Sequence, residues 1–383
     1  MKALHLVLPA SLTMALDAKV KQMIADGNPI INLTAGQVDV PMPEAGKAAI
    51  VSALNEDKTG YIPATGSPAL QQAIRSSMFW QQGRVLVSAG AKPLVSAAIQ
   101  VICKANDQVL LPTPCYTSFP PMIEAAGAES VFVPGRFENG FKATAAELLA
   151  ATTPSTKVIL LNNPVNPTGS VYSRAELQAI ANFAMEKDLY VIADEVYSSF
   201  VYNGSFCSLY DFPQIRDRLV VVNSTSKTFA MAGLRIGYCV APEPIGAAMA
   251  GYLSHTLGCP CSLSEAAALA VLHEEKTYVQ ELQRIFSSRK KAVLSALSKI
   301  DGIRFAEPDG AFYVWIDIAA AGMDDMRFCS ELLASQKVAL TPGSAFQCPG
   351  YVRLAYTKEE ETLLEAIWRL GRFIQSKSSA DNS

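Results

Sequence analysis

Lys227 stands within Ser-Thr-Ser-Lys-Thr-Phe-Ala-Met-Ala-Gly-Leu-Arg-Ile-Gly, residues 224–237, just after the apolar run 219–222 and eight residues before Arg235. An amine set among small hydroxyl residues suits a lysine that forms a Schiff base beside a bound phosphate. Ser224, Ser226 and Arg235 then hold the phosphate of a cofactor whose aldehyde meets the amine. A lone lysine at a strand end is ordinarily a solvated charge; the serines and the later arginine point the other way. The run 219–222 reads as a buried strand, and its carboxyl end is where ligands collect in open parallel sheets.

Other groups fall at comparable places. Asp194 ends the apolar run 190–193, and Tyr197 follows three residues on. As a helix N-cap Asp194 is structural. As a carboxylate against a pyridine nitrogen it keeps that nitrogen protonated, so the ring accepts electrons from a substrate carbanion; Tyr197 then bonds the ring's phenolic oxygen. Asn166-Pro-Thr-Gly169 is by itself a good turn. Because Asn166, Asp194 and Lys227 each follow a different predicted strand, their side chains can converge at one sheet edge, with Asn166 reaching both cofactor and substrate. Ser88-Ala-Gly-Ala91 joins a strand to a helix through small residues, letting a phosphate reach the N–H groups at Gly90 and Ala91. Lys92 sits in the first turn of that helix, where the dipole disfavours a cation by about 0.3–1 kcal/mol unless anions lie nearby. In 351–356, alternation puts Val352 and Leu354 on one face and Arg353 on the other. Arg353 is there either an exposed edge-strand residue or a two-pronged clamp for a carboxylate.

The elements that must position these groups follow from periodicity. Strands are predicted at 85–87, 109–111, 131–133, 158–161, 190–193, 219–222 and 236–240, alternating with helices such as 93–103 and 174–187, the latter opened by a Ser173–Glu176 capping box. This alternation predicts a doubly wound α/β sheet. A nicotinamide-binding domain alternates similarly, but the Gly-x-Gly-x-x-Gly turn expected after its first strand is missing. From about residue 279 the pattern changes to a long helix to 297, a strand at 312–316, a helix at 326–336, a strand at 351–356 and a helix from 358 to about 373. With a helix around 17–25 this predicts a smaller α+β lobe built from both chain ends: 46–275 as the large domain, 1–45 and 276–383 as the small one. The polar residues 376–383 are expected to fray.

A chain of 383 residues, half of them hydrophobic, can bury a large core and is expected to divide into two domains. Charged residues make up 17% and the net charge is −3, without a lysine-arginine block. That leaves no electrostatic footprint for nucleic acid or an acidic membrane surface. The eight cysteines are scattered, and Cys259-Pro-Cys261 matches neither a zinc ribbon nor a redox pair. Buried free thiols in a reducing, cytoplasmic compartment are expected. His5, His255 and His273 lack metal-ligand spacing, so no metal is predicted. The apolar start is interrupted by His5, Pro9 and Asp17 and lacks a cleavage site, which argues against export; no run is long enough for a membrane span.

The stretch around Lys227 resembles, position for position, the lysine signature of class I aminotransferases, and the other motifs resemble that family in order and spacing from about Ser11 to Phe373. The resemblance implies a fold type I pyridoxal-phosphate (PLP) transferase, with a large domain on a mostly parallel seven-stranded sheet and a smaller α+β domain. It implies Lys227 as Schiff-base lysine and proton shuttle, Asp194 as pyridinium partner, and Tyr197 and Asn166 on the phenolic oxygen. It further implies Ser224, Ser226, Arg235, Gly90 and Ala91 around the phosphate, Tyr116 stacked on the ring, and Arg353 and Gly36 toward the substrate. The segment Gly60-Tyr61-Ile-Pro-Ala-Thr-Gly66 looks like the one whose tyrosine enters the partner's phosphate site, so Tyr61 implies a homodimer with shared active sites. Lys92 and Ser11 resemble residues that bind the distal carboxylate in one branch of bacterial aspartate aminotransferases. Gly36-Gln-Val-Asp-Val40 departs from the usual Gly-Glu-Pro-Asp-Phe, Tyr116 replaces a frequent tryptophan, and Glu265 a frequent glutamine.

The expected function is transfer of an α-amino group between an amino acid and a 2-keto acid, with aspartate and glutamate as favoured substrates. The alternatives are an aromatic or specialised aminotransferase, a PLP-dependent β/γ-lyase or cyclase, and a noncatalytic binding protein. Retention of Lys227, Asp194 and Arg353 together weighs against the last.

Overall fold

The computed structural model describes residues 7–273 and 275–380. All seven apolar runs form strands of one sheet, in the order Arg84–Ser88, Gly237–Ala241, Leu219–Ser224, Tyr190–Asp194, Thr156–Asn162, Gln108–Thr113, Glu129–Pro134. Gly237–Ala241 runs against both its neighbours, and the remaining pairings are parallel. The central strands are apolar without alternation because both faces are covered. Leu219 and Val221 enter one hydrophobic core, while Val220 and Val222 enter the core on the opposite face.

Helices close both faces. Arg174–Glu186 opens with the Ser173–Glu176 capping box, the Ser173 side chain accepting from the Glu176 N–H. Several helices escaped the sequence reading, among them Glu44–Asn55, Pro68–Ser77, Glu243–Thr256 and Ser262–Leu272. Ser262–Leu272 packs against both Glu44–Asn55 and Pro68–Ser77, so apolar residues cover most of its circumference and no single stripe announces a helix.

A second sheet is antiparallel, in the order Thr341–Pro342, Tyr351–Ala355, Tyr313–Asp317, Arg304–Ala306. Val352 and Leu354 face the core beneath it, shared with the long helices Glu275–Leu297 and Glu360–Ala380. The strand Ile31–Asn32 pairs with Val338–Ala339, and helix Leu12–Ala25 packs Val20 with Ile30, Leu333 and Ala339. Residues 12–32 are thereby joined to residues 333–339.

The expected fraying from residue 376 is corrected, since the final helix runs on to Ala380. Ser376 Oγ donates to the Phe373 carbonyl, and Lys377 Nζ lies 2.6 Å from Glu331, so the polar tail is tethered. Residues 381–383, and most of the apolar start at residues 1–6, lie outside the described residues. Among the described residues no helix is long and apolar enough to cross a membrane.

Candidate active site

Parallel register sets the site. Asn162 pairs with Asp194, and Asp194 with Val222, so three adjacent strands end together. Beyond Val222 the chain continues to Ser224, whose side chain caps the short helix Thr225–Thr228 by accepting from the Ser226 N–H. That single turn raises Lys227. Asn162 ties the neighbouring strand ends, donating to the Asp194 carbonyl at 2.9 Å and accepting from the Asn166 N–H at 2.7 Å. The turn after Asn162 therefore folds back and delivers Asn166 to the same edge.

The second sheet supplies the opposite wall. Arg353 lies on a central strand, not an edge, and is 4% exposed. Its guanidinium donates to Asn166 Oδ1 at 2.8 Å and to the Thr34 carbonyl, and stacks 4.5 Å from the Tyr313 ring centroid. Arg353 Nε is buried with no partner, a donor still to be satisfied. Tyr197 and Tyr313 join hydroxyls at 2.8 Å, and Asn166 Nδ2 lies 3.5 Å from Tyr197 Oη. Lys227 Nζ donates to the Gly36 carbonyl at 2.5 Å. From the long helix, Arg289 grips Asp39 with bonds of 2.7 and 3.1 Å, holding the Gly36–Val40 loop in place.

Apart from Arg289 and Asp39, the side chains gathered around Lys227 line one cavity of about 270 Å³. Burial pulls the Lys227 amine down to about 8, helped by the Arg353 and Arg235 charges and opposed by Asp194. Burial pushes the Asp194 carboxyl up to about 7, against the Val196 N–H and Lys227. The Tyr197 hydroxyl is likewise driven well up by burial.

At the other end of Lys227, the helix Ala91–Ile102 begins against Arg235. Gly90 has φ +95°, and a Cβ there would lie 2.4 Å from Arg235 Nη2, so only glycine admits the guanidinium so close. Arg235 donates to the carbonyls of Ala232 and Ala89. Ala91, Ser224, Ser226, Arg235 and Lys92 all line the cavity. A helix N-terminus, the Arg235 guanidinium and two hydroxyls thus gather with no carboxylate among them, a donor set that fits a phosphate. Tyr116 lines the cavity as well, its ring packed edge-on against Phe119, with Lys92 Nζ 5.4 Å from its centroid.

Some expected residues lie elsewhere. Ser11 stays outside the lining; its hydroxyl is 3.2 Å from that of Thr13, and Thr13 faces the cavity instead. Tyr61 is fully exposed, away from the cavity of its own chain. Glu265 is buried and accepts the Ser67 N–H at 3.0 Å, fastening the base of the loop that carries Tyr61. Other groups were missed. Asn162 had a signal, an amide ending an apolar run as Asp194 does. Thr34 and Asp17 had none, and Tyr313 within an apolar strand looked like ordinary core.

The sequence model described as aminotransferase class I and II matches residues 28–370. The chain is 36% identical over 376 residues to an aspartate aminotransferase of Thermotoga maritima, covering 97% of this chain and 98% of the relative. It is 34% identical over 381 residues to an aspartate aminotransferase of Bacillus sp. YM-2, covering 96% and 97%. Among solved structures, the aspartate aminotransferase of Thermus thermophilus with maleate superposes with a TM-score of 0.93 at 32% identity, covering 97% of this chain and all of the other.

Proposed function

This chain belongs to the class I and II aminotransferases and has their fold type I architecture, and from that premise we propose that it uses pyridoxal phosphate to move α-amino groups between dicarboxylic amino acids and 2-keto acids. The observation that carries the reading is the convergence of Lys227, Asp194, Asn166 and Arg353 on one cavity from two sheets. The bound cofactor supplies an aldehyde to take the amino group and a pyridine ring to take up the electron pair left at the α-carbon.

The chain's own groups do the rest. Lys227 Nζ, whose proton affinity is lowered by burial, holds the cofactor and carries the proton from the substrate's α-carbon. Asp194 would hold the proton on the ring nitrogen. Tyr197 and Asn166 would hold the phenolic oxygen, and Tyr116 would pack on the ring. Ser224, Ser226, Arg235 and the backbone at Gly90 and Ala91 hold the phosphate. Arg353 clamps the α-carboxylate, its free Nε adding a donor, with the Gly36 backbone alongside. Lys92 takes the distal carboxylate; Thr13, with Ser11 behind it, supports that end.

We assign residues 46–275 to the large domain, and 1–45 with 276–383 to the small one. The protein works as a homodimer in which Tyr61 of each protomer completes the phosphate site of the other. An exposed aromatic on a loop held at its base by Glu265 supports this. Eight free cysteines, four of them buried, support a reducing, cytoplasmic setting.

The test is conversion of aspartate and glutamate by the purified protein with added pyridoxal phosphate, with and without a 2-keto acid. Turnover that requires the acceptor and moves the amino group onto it is expected. Continued release of ammonia without an acceptor would favour a lyase, and turnover of aromatic donors alone would move the substrate assignment.

A further inference from the structure

Tyr313 comes from the second sheet and Tyr197 from the loop just after the strand Tyr190–Asp194, yet their hydroxyls meet at 2.8 Å with both side chains buried. The Tyr313 hydroxyl is lodged in a notch at Gly36, where a Cβ would lie only 1.9 Å away. The Arg353 guanidinium covers the ring of Tyr313. Packed on its face and at its tip, Tyr313 cannot swing aside without disturbing its neighbours.

A phenolic hydroxyl has one proton to give and two lone pairs to fill. Tyr197 Oη has Asn166 Nδ2 on one side at 3.5 Å and Tyr313 Oη on the other. The Asn166 amide can only donate from that nitrogen, its oxygen being taken by Arg353. If Tyr313 also donates, both lone pairs of Tyr197 are engaged and its own proton must point into the cavity.

We propose that Tyr313 is a positioning residue that acts through Tyr197, donating to its hydroxyl so that the Tyr197 proton is committed to the phenolic oxygen of the cofactor. The inference rests on the cofactor reading above. A phenol that accepts a hydrogen bond is a stronger donor, and a stronger donor favours the ionised form of the oxygen it faces. Tyr313 therefore lowers the pH at which the bound cofactor loses its proton. Among the described residues the other charged or titratable groups facing this pair are Arg353, Tyr116, Lys227 and Tyr356, which Tyr313→Phe leaves in place.

The experiment is a pH titration of the visible absorption of the cofactor-loaded protein, for the parent, Tyr313→Phe, Tyr197→Phe and the double variant. Tyr313→Phe should raise the titration midpoint by about half a pH unit or more. In the Tyr197→Phe background the same change should add nothing, because the residue it acts through is gone. An unmoved midpoint in Tyr313→Phe, or an equal shift in both backgrounds, would overturn the proposal. Absence of a cofactor band in all four proteins would instead overturn the cofactor reading, and this inference with it.

Discussion

The two ends of the cavity are built differently. Around Lys227 the side chains of Asn162, Asn166, Asp194 and Ser224 are buried, and they are joined by short bonds to strand ends that share one register. At the far end, Ser11, Thr13, Lys92 and Tyr116 are half-buried, Met14 is exposed, and the contacts are long: 3.2 Å from Ser11 to Thr13 and 3.4 Å from Thr13 to Thr117. The Lys92 amine lies over the face of Tyr116, 5.4 Å from its centroid. The first end is a frame that a single change breaks. The second stands on helix starts and a loop, where residues can be exchanged without disturbing the chemistry. Of the departures from the family pattern, Tyr116 falls at this looser end, whereas the 36–40 loop meets Lys227 through the Gly36 carbonyl and is held by Arg289.

Substitutions can break or sharpen that contrast. Lys227→Ala should lower turnover by about a thousandfold or more on every donor, read in a steady-state assay. Its melting temperature should not fall, because an amine whose proton affinity burial lowers costs the folded state stability and adds none. Asp194→Ala should still bind pyridoxal phosphate, seen by absorbance, while losing roughly a hundredfold in rate on all donors alike. Lys92→Ala should behave otherwise, costing about 2 kcal/mol, or some thirtyfold, in kcat/KM for aspartate and glutamate and almost nothing for alanine or phenylalanine. Ser11→Ala should change dicarboxylate turnover by less than about twofold, since Thr13 stands between it and the cavity. Equal losses on both donor classes in Lys92→Ala would erase the distinction between the two ends.

The same contrast governs what the sequence could reveal. Asp194, Asn166 and Lys227 were legible because each follows an apolar run, and parallel strands bring their carboxyl ends to one line. Alternation placed Arg353 on the face opposite Val352 and Leu354 but left open an exposed edge position, which the strand order excludes. Ser11 lies two residues before Thr13, the hydroxyl that faces the cavity, and nothing in Ser-Leu-Thr says which hydroxyl a helix start turns inward. Tyr313 and Thr34 were invisible: their importance comes from a meeting of two sheets, and no local pattern encodes that. Asp39 with Arg289, separated by most of the chain, failed to show for the same reason. Helix Ser262–Leu272 was hidden by burial around its circumference, and the last helix ran past its expected end because Lys377 found Glu331.

The central claim is that Lys227, alone among the lysines, is the amine that receives the cofactor. Cofactor-free protein is incubated with pyridoxal phosphate, reduced with borohydride, digested, and the labelled peptide identified by mass spectrometry over a series of pH values. The account predicts the label on Lys227, with capture accelerating as pH rises through about 8, since burial leaves the amine neutral and nucleophilic above that value. A label on Lys92 or a surface lysine, or capture that rises only near the ordinary lysine range of about 10.4, would contradict it.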